Sequence, residues 1–336
     1  MTAINAYAVR EPGGAFAPFR YEAGPLGSDE VEIDVVHCGI CHSDLSMAQN
    51  EWGMTTYPLV PGHEVIGQVA ATGAGVATFE IGQWVGLGWQ SGYCKTCGAC
   101  LSGDHNLCDT VESTIIGRHG GFADKVRADK TAVARLPEGV DPAVAGPLLC
   151  AGITVFAPLL AFGVRPTDRV AVIGIGGLGH LALQFYRAWG CRVTAFTSSG
   201  AKTEEALALG AHDTVNSRDP EAIAAAAGRF DFVLSTVSAS LDWNAYVATL
   251  RPKGRLHFVG VTTEPLSLSL FPLLVGQRSV SSSPVGGPSA MAAMLDFARR
   301  HDIRPMTETY AFDDVDAAMA RLESGEARYR VVLSRV

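Results

Sequence analysis

Between Val170 and Ala182 the chain reads VAVIGIGGLGHLA: an apolar strand runs straight into Gly174, Gly176 and Gly179 and then into a helical pattern. No other stretch constrains the fold as much. The GxGxxG spacing, set between a strand and a helix, permits a tight turn and lets the helix N-terminus approach a pyrophosphate. The same grammar continues downstream. RVTAFT, FDFVLS and RLHFVG read as apolar strands, and LGHLALQFYRAWG, TEEALALGA and LDWNAYVATL as helices, so from about Thr167 the elements alternate as in a doubly wound parallel sheet.

The second strand of that sheet bears on which dinucleotide fits. A site for NAD places Asp or Glu about 20 residues beyond the glycines, to accept the ribose hydroxyls. Here the strand ends AFTSSGAKTEE, without a carboxylate at its end. Ser198, Ser199 and Lys202 supply hydroxyls and a positive charge, the partners that suit a 2′-phosphate. NADP(H) is therefore the expected cofactor.

Before about Leu149 the pattern is different. Short β-branched runs, EVEIDVVHC, EVIGQVA and QWVGLG, are separated by glycines and turn residues, which predicts a twisted, largely antiparallel β domain. Two domains suit 336 residues, and 48% hydrophobic residues suffice to bury both. After SVSSSPVGG a helix is expected over Pro288–Arg300, followed by TETYAF, a helical DVDAAMARLESG and the closing RYRVVLSRV. Pattern alone assigns that last strand to neither domain. The net charge of −8 comes without a basic run, which argues against nucleic acid or a membrane surface as partner. No apolar run reaches about 18 residues, and MTAINAYAVREPGG lacks the marks of a signal peptide. A cytoplasmic protein acting on small molecules is expected.

In a compartment that keeps thiols reduced, YCKTCGACLSGDHNLC reads as a metal site. Cys94, Cys97, Cys100 and Cys108 have the spacing CxxCxxCx7C; four thiolates fit tetrahedral zinc and leave no open position, so this site is expected to be structural. A second set is dispersed. HCGICHSD supplies Cys41, VPGHEVIG supplies His63 and Glu64, and GPLLCAG supplies Cys150. Two cysteines and a histidine leave a tetrahedral position spare, the pattern of a catalytic zinc, although each alone reads as an ordinary core or surface residue.

Together, CGICHSDL, YPLVPGHEVIG, the four-cysteine loop, PLLCAGITVF, GIGGLGH and the terminal ARYRVVL resemble the zinc-dependent medium-chain alcohol dehydrogenases over nearly the whole chain. The likeness is greatest to the cinnamyl alcohol dehydrogenase branch, especially its bacterial NADPH-dependent aldehyde reductases. The resemblance implies an α/β fold: a GroES-like, β-rich catalytic domain with both zinc sites over residues 1–152, a Rossmann NADP-binding domain over 153–286, and a C-terminal segment, 287–336, returning to the first. It further implies that Cys41, His63 and Cys150 hold the catalytic zinc and that Glu64 approaches or replaces its bound water. Ser43 would bond the substrate oxygen and pass its proton outward, Asp44 would orient His63, and Cys38 would not be a ligand. His42 would lie near the cofactor pyrophosphate. Thr154, Gly177, Leu178, Val237, Val259 and Ser283 would join Gly174, Gly176, Gly179, Ser198, Ser199 and Lys202 in the cofactor site.

The activity implied is interconversion of aldehydes and primary alcohols by hydride transfer, with broad specificity and with aldehyde reduction as the direction NADPH favours. The alternative is an NAD-linked polyol or secondary-alcohol dehydrogenase. A homodimer joined through the Rossmann sheet is also implied, with SVSSS as an edge strand at the interface. Two positions depart from relatives. Ser46 stands where many carry a relay histidine, and Pro284 where the plant enzymes carry an aromatic near the substrate, so a phenylpropenyl-specific pocket is not expected. Trp52, Trp89, Ile115 and Ile116 are the expected apolar walls.

Overall fold

The computed structural model describes residues 2–198, 200–262 and 264–336. The chain divides into two compact units: Met1–Ile153 with Val285–Val336, and Thr154–Pro284.

The first unit is built on a seven-stranded sheet. Its strands run in the order Thr307–Ala311, Arg330–Ser334, Glu30–Ile40, Glu64–Thr72, Trp84–Leu87 and Val133–Arg135, and Lys125–Asp129 pairs with Glu30–Ile40 off this path. All pairings are antiparallel except Thr307–Ala311 with Arg330–Ser334. The ambiguous last strand thus lies in the first unit, with Val331 opposite Ile40 and Leu333 opposite Cys38. All five of its residues are buried, which is why it reads as a continuous apolar run rather than an alternating one. The core beneath the sheet gathers Ile33, Val35, Ile40, Val65, Phe122, Val331 and Leu333. Ile115 belongs to this core, with no exposure, and Ile116 packs against it, so the expectation that Ile115 lines a pocket is corrected.

The second unit carries six parallel strands in the order Asp213–Asn216, Arg192–Thr197, Arg169–Ile173, Phe230–Ser235, Leu250–Phe258 and Ser279–Ser282. In chain order this is 3-2-1-4-5-6, the doubly wound arrangement in which the order reverses at the first strand. Ser279–Ser282 is an edge strand. The helix Gly179–Trp189 follows the glycine turn, buries Leu181, Ala182, Leu183, Phe185 and Tyr186, and stops at Gly190, whose φ of 108° is the left-handed conformation of a helix end. Among the described residues no single helix is long and apolar enough to cross a membrane.

Candidate active site

Register brings the dispersed donors together. Gly39 lies opposite Glu64 in the antiparallel pair, so the chain leaving the end of one strand at Ile40 carries Cys41 to where the other begins, beside His63. Cys41 caps the helix His42–Ala48. Cys150 arrives from a third direction, between the turn Gly146–Leu149 and the helix Ala151–Ala161. That approach needs Gly146: a Cβ there would sit 2.6 Å from the Glu64 carbonyl oxygen.

Asp44 has no solvent exposure. Its Oδ2 accepts the Cys41 backbone N–H at 2.9 Å, while Oδ1 accepts the Gly62 N–H at 2.8 Å and the His63 Nδ1–H at 2.9 Å. Fixing Nδ1 in this way aims Nε2 at the cluster, 3.3 Å from Cys150 Sγ, and the two sulfurs of Cys150 and Cys41 stand 3.9 Å apart. Zinc bonds of about 2.3 Å in a tetrahedron separate two sulfurs by about 3.8 Å, so the spacing fits the ion. Glu64 completes the set, with donor atoms of all four residues within 4.8 Å of one another.

The electrostatics match a cation site. A hydrogen bond from Cys150 holds the Cys41 thiol well below its ordinary pKa, with Arg330 and His63 adding to this against the effect of burial. The same bond, with burial, pushes Cys150 up. Burial alone would lower His63, yet the charge and hydrogen bond of Asp44 raise it to about 9. A divalent cation displaces the protons these groups carry, because its ligands must be deprotonated.

Sequence reasoning did not single out Arg330. It is 2% exposed and donates from Nη2 to Oε1 of the wholly buried Glu64, whose Oε2 has no partner and lies against Gly39. Only a glycine fits at 39, since any Cβ would collide with that oxygen. The available signal was an arginine beside the apolar run VVL of the closing strand. Cys38 is buried, and burial raises its thiol well above the ordinary value, as suits a packed residue rather than a ligand.

Around the donors, Trp89 sets its ring edge-on to His63 at 4.9 Å, and Trp52 meets Trp89 at 6.2 Å. Ser43 is half-buried with Oγ 3.7 Å from Cys41 Sγ, and His42 is exposed. Ser46 donates to Glu51 Oε2 at 2.6 Å and is thereby occupied.

The four-cysteine loop closes on itself. Cys94 and Cys100 sulfurs are 3.9 Å apart, and all four donors lie within 4.8 Å. Backbone N–H groups of Thr96 and Cys97 donate to Cys94 Sγ at 3.4 and 3.2 Å, which pulls that thiol down to about 5. Lys95, at φ 64°, turns the chain between them and ties the loop to Asp129 at 2.5 Å.

In the second unit the glycine turn leaves Ile173 with Gly174 at φ 86°, a conformation glycine adopts freely. A Cβ on Gly174 would strike Val237, and one on Gly179 would strike the Gly174 carbonyl; one on Gly176 would meet nothing within 4 Å. The open face at Gly176 is the room a pyrophosphate takes at such a turn. Thr236, which sequence reasoning passed over, secures the turn by donating to the Ile173 and Gly174 carbonyls at 3.0 and 2.8 Å. Leu178 is the residue before the helix, and Ser198 follows the neighbouring strand Arg192–Thr197, with half-buried Lys202 on the helix Gly200–Ala208. Gly177 lies in the same turn. Val259 follows the strand Leu250–Phe258, Ser283 follows the edge strand, and Thr154 is buried on the helix Ala151–Ala161. Ser199 lies outside the described residues.

Known proteins resemble this chain in sequence and fold. The alcohol dehydrogenase GroES-like domain family matches residues 27–138, and the zinc-binding dehydrogenase family matches residues 177–300. The chain is 62% identical to aldehyde reductase AdhA of Synechocystis sp. over 98% of both chains, and 42% identical to the probable cinnamyl alcohol dehydrogenase 8A of rice over 99% of this chain and 95% of that one. Among solved structures, a cinnamyl alcohol dehydrogenase of Sorghum bicolor superposes with a TM-score of 0.95 at 37% identity, covering 99% of this chain and 98% of that one. The Helicobacter pylori enzyme complexed with NADP(H) superposes with a TM-score of 0.91 at 30% identity, over 99% and 98%. Such identity, maintained from end to end and through both domains, makes the chain a member of the zinc-dependent medium-chain alcohol dehydrogenases, within their cinnamyl alcohol dehydrogenase branch.

Proposed function

We propose that this chain reduces aldehydes to primary alcohols, and runs the reverse reaction, with NADP(H) as hydride carrier. The observation carrying this is the convergence of Cys41, His63 and Cys150 beside an unpartnered Glu64 oxygen, a cation site with a position to spare. Bound there, zinc supplies Lewis acidity toward a carbonyl oxygen, and reduced nicotinamide supplies the hydride.

The chain's own residues do the rest. Cys41, His63 and Cys150 hold the metal, and Asp44 keeps His63 Nδ1 engaged so that Nε2 stays free to ligate. Arg330 neutralises half of the Glu64 carboxylate while the other oxygen stays available to the cluster. Ser43, beside Cys41, delivers the proton to the substrate oxygen in reduction and takes it up in the reverse direction; with Ser46 bound to Glu51, Ser43 exchanges that proton with solvent by another path than Ser46. Trp89 and Trp52 give the substrate an apolar wall, suited to aliphatic and aromatic aldehydes alike. Initial rates with NADPH across aliphatic, benzylic and cinnamyl aldehydes test this breadth. A preference for a polyol or secondary alcohol with NAD would replace the proposal by its alternative.

The preference for the phosphorylated cofactor is supported by Ser198 and Lys202 at a strand end without a carboxylate. Lys202→Ala is expected to raise KM for NADPH about tenfold and to leave KM for NADH within about twofold. Equal changes for both cofactors would remove Lys202 from the phosphate site.

Dimerisation is supported by the helix Leu270–Gly276, just before the edge strand, where Leu270, Phe271, Leu274 and Val275 are 72%, 74%, 66% and 67% exposed. An apolar patch next to an open sheet edge is costly in water unless covered. Phe271→Glu with Leu274→Glu is expected to turn a dimer into a folded monomer by light scattering; an unchanged mass would place the interface elsewhere. Eight unpaired cysteines, six of them donors in two clusters, support a reducing, cytoplasmic setting.

A further inference from the structure

His257 lies on the Leu250–Phe258 strand of the second unit's parallel sheet with no solvent exposure. A buried imidazole needs partners for both nitrogens. Nδ1 is 2.9 Å from Oγ of Ser281, the residue paired directly across from it, and Nε2 is 2.9 Å from Oγ of Ser283, two residues further along. Phe162 and Phe232 cover the ring at centroid distances of 4.6 and 5.8 Å. Burial, with the Arg255 charge adding to it, lowers the imidazole to about 4, so near neutral pH it carries one N–H and one acceptor nitrogen. One serine oxygen therefore accepts a hydrogen bond from the ring's N–H, and the other serine's hydroxyl donates to the bare ring nitrogen. Both hydroxyls are held in fixed directions.

Core packing does not ask for this polar triad, since an apolar side chain would fill the space without needing partners. Its place in the sheet gives it a role. Register aligns Ile173, Ser235, Phe258 and Ser282 across four strands. Ser283 thus stands in the next row, with Gly174, Thr236 and Val259, at the carboxyl ends of the strands. A dinucleotide lies across the point where strand order reverses, here Arg169–Ile173, with one half on each side. If Ser198 and Lys202 take the adenosine half on the Arg192–Thr197 side, the nicotinamide half extends over Thr236, Val259 and Ser283. Three strand spacings put Ser283 about 14 Å from the glycine turn in that direction.

We propose that His257 is a positioning residue, which by clamping Ser281 and Ser283 aims the Ser283 hydroxyl at the carboxamide of the nicotinamide. This rests on the dinucleotide reading of the sheet edge given above, though not on which dinucleotide binds.

The test compares His257→Leu, Ser283→Ala and the double variant with the wild type, measuring affinity for NADPH and, separately, for 2′,5′-ADP, which carries only the adenosine half. Each single change is expected to weaken NADPH by about five- to tenfold and to leave 2′,5′-ADP within about twofold. The double variant should lose no more than either single one, because the two side chains act as a unit. Unchanged NADPH binding by His257→Leu, equal losses on both ligands, or additive losses would each overturn the proposal. Should the leucine variant fail to fold, the imidazole nitrogen shifts of wild-type His257 decide. They must move on adding NADPH and stay put on adding 2′,5′-ADP, and no movement overturns the proposal. If the wild type binds NADH and 5′-AMP in preference, the phosphate assignment fails, and the same comparison with those two ligands still tests His257.

Discussion

Replacing Cys41 with alanine is expected to lower kcat/KM for every aldehyde substrate by about 10³-fold or more, in a folded protein that keeps the zinc of the four-cysteine loop and loses the other. Lewis-acid stabilisation at a carbonyl oxygen is worth several kcal/mol, and each 1.36 kcal/mol is about tenfold in rate. Removing one thiolate of three protein ligands leaves His63 and Cys150 to hold the ion with Glu64, whose Oε1 is already committed to Arg330. The fold should survive, because Cys41 contributes its backbone N–H, not its sulfur, to the bond that organises Asp44. Zinc content, thermal melting and steady-state rates check the three parts separately. Full activity with one zinc per chain would remove Cys41, and with it the dispersed cluster, from the reaction.

The opposite signature is expected at Cys97. Cys97→Ala should release the zinc of the 94–108 loop, lower Tm by roughly 10 °C and expose the loop to proteolysis, while the protein that remains folded keeps most of its kcat. The loop's helical pieces span only Gly98–Leu101 and His105–Leu107, and Leu101 and Leu107 are 76% and 55% exposed, so apolar burial contributes little and the loop depends on its four sulfurs, the Lys95–Asp129 pair and the hydrogen bonds of Asn106 with Val285 and Gln90. Unaltered melting after this change would end the structural assignment. The two substitutions are expected to separate the sites, because four thiolates satisfy a tetrahedral ion by themselves, whereas the dispersed set offers two sulfurs and an imidazole beside Glu64.

Much of this was legible without coordinates. The helix Pro288–Arg300 appears over the expected residues, because proline at its first turn and apolar spacing are local signals. The glycine turn and the strand–helix alternation are equally local, and the structure shows them as one parallel sheet. The last strand was not assignable, since VVLS is buried on both faces and would suit either sheet; only its pairing with Glu30–Ile40 settles the matter. Ile115 misled because closeness in sequence to a ligand motif says nothing of which way a side chain points. His257 gave no signal and Arg330 only its place beside an apolar run, because a charged or polar residue within an apolar strand does not announce its partner.

What the chain determined by itself was the donor chemistry, the four-cysteine loop confined to fifteen positions, and the periodicities that make one half a β domain and the other a parallel sheet. What tertiary structure decided was convergence. Cys41 and Cys150 are 109 positions apart, and Arg330 reaches Glu64 across 266. Local patterns encode local geometry, because period and turn chemistry act within a few residues. Which distant residues meet depends on strand register and on close approaches such as that of Gly146 to Glu64, which are properties of packing.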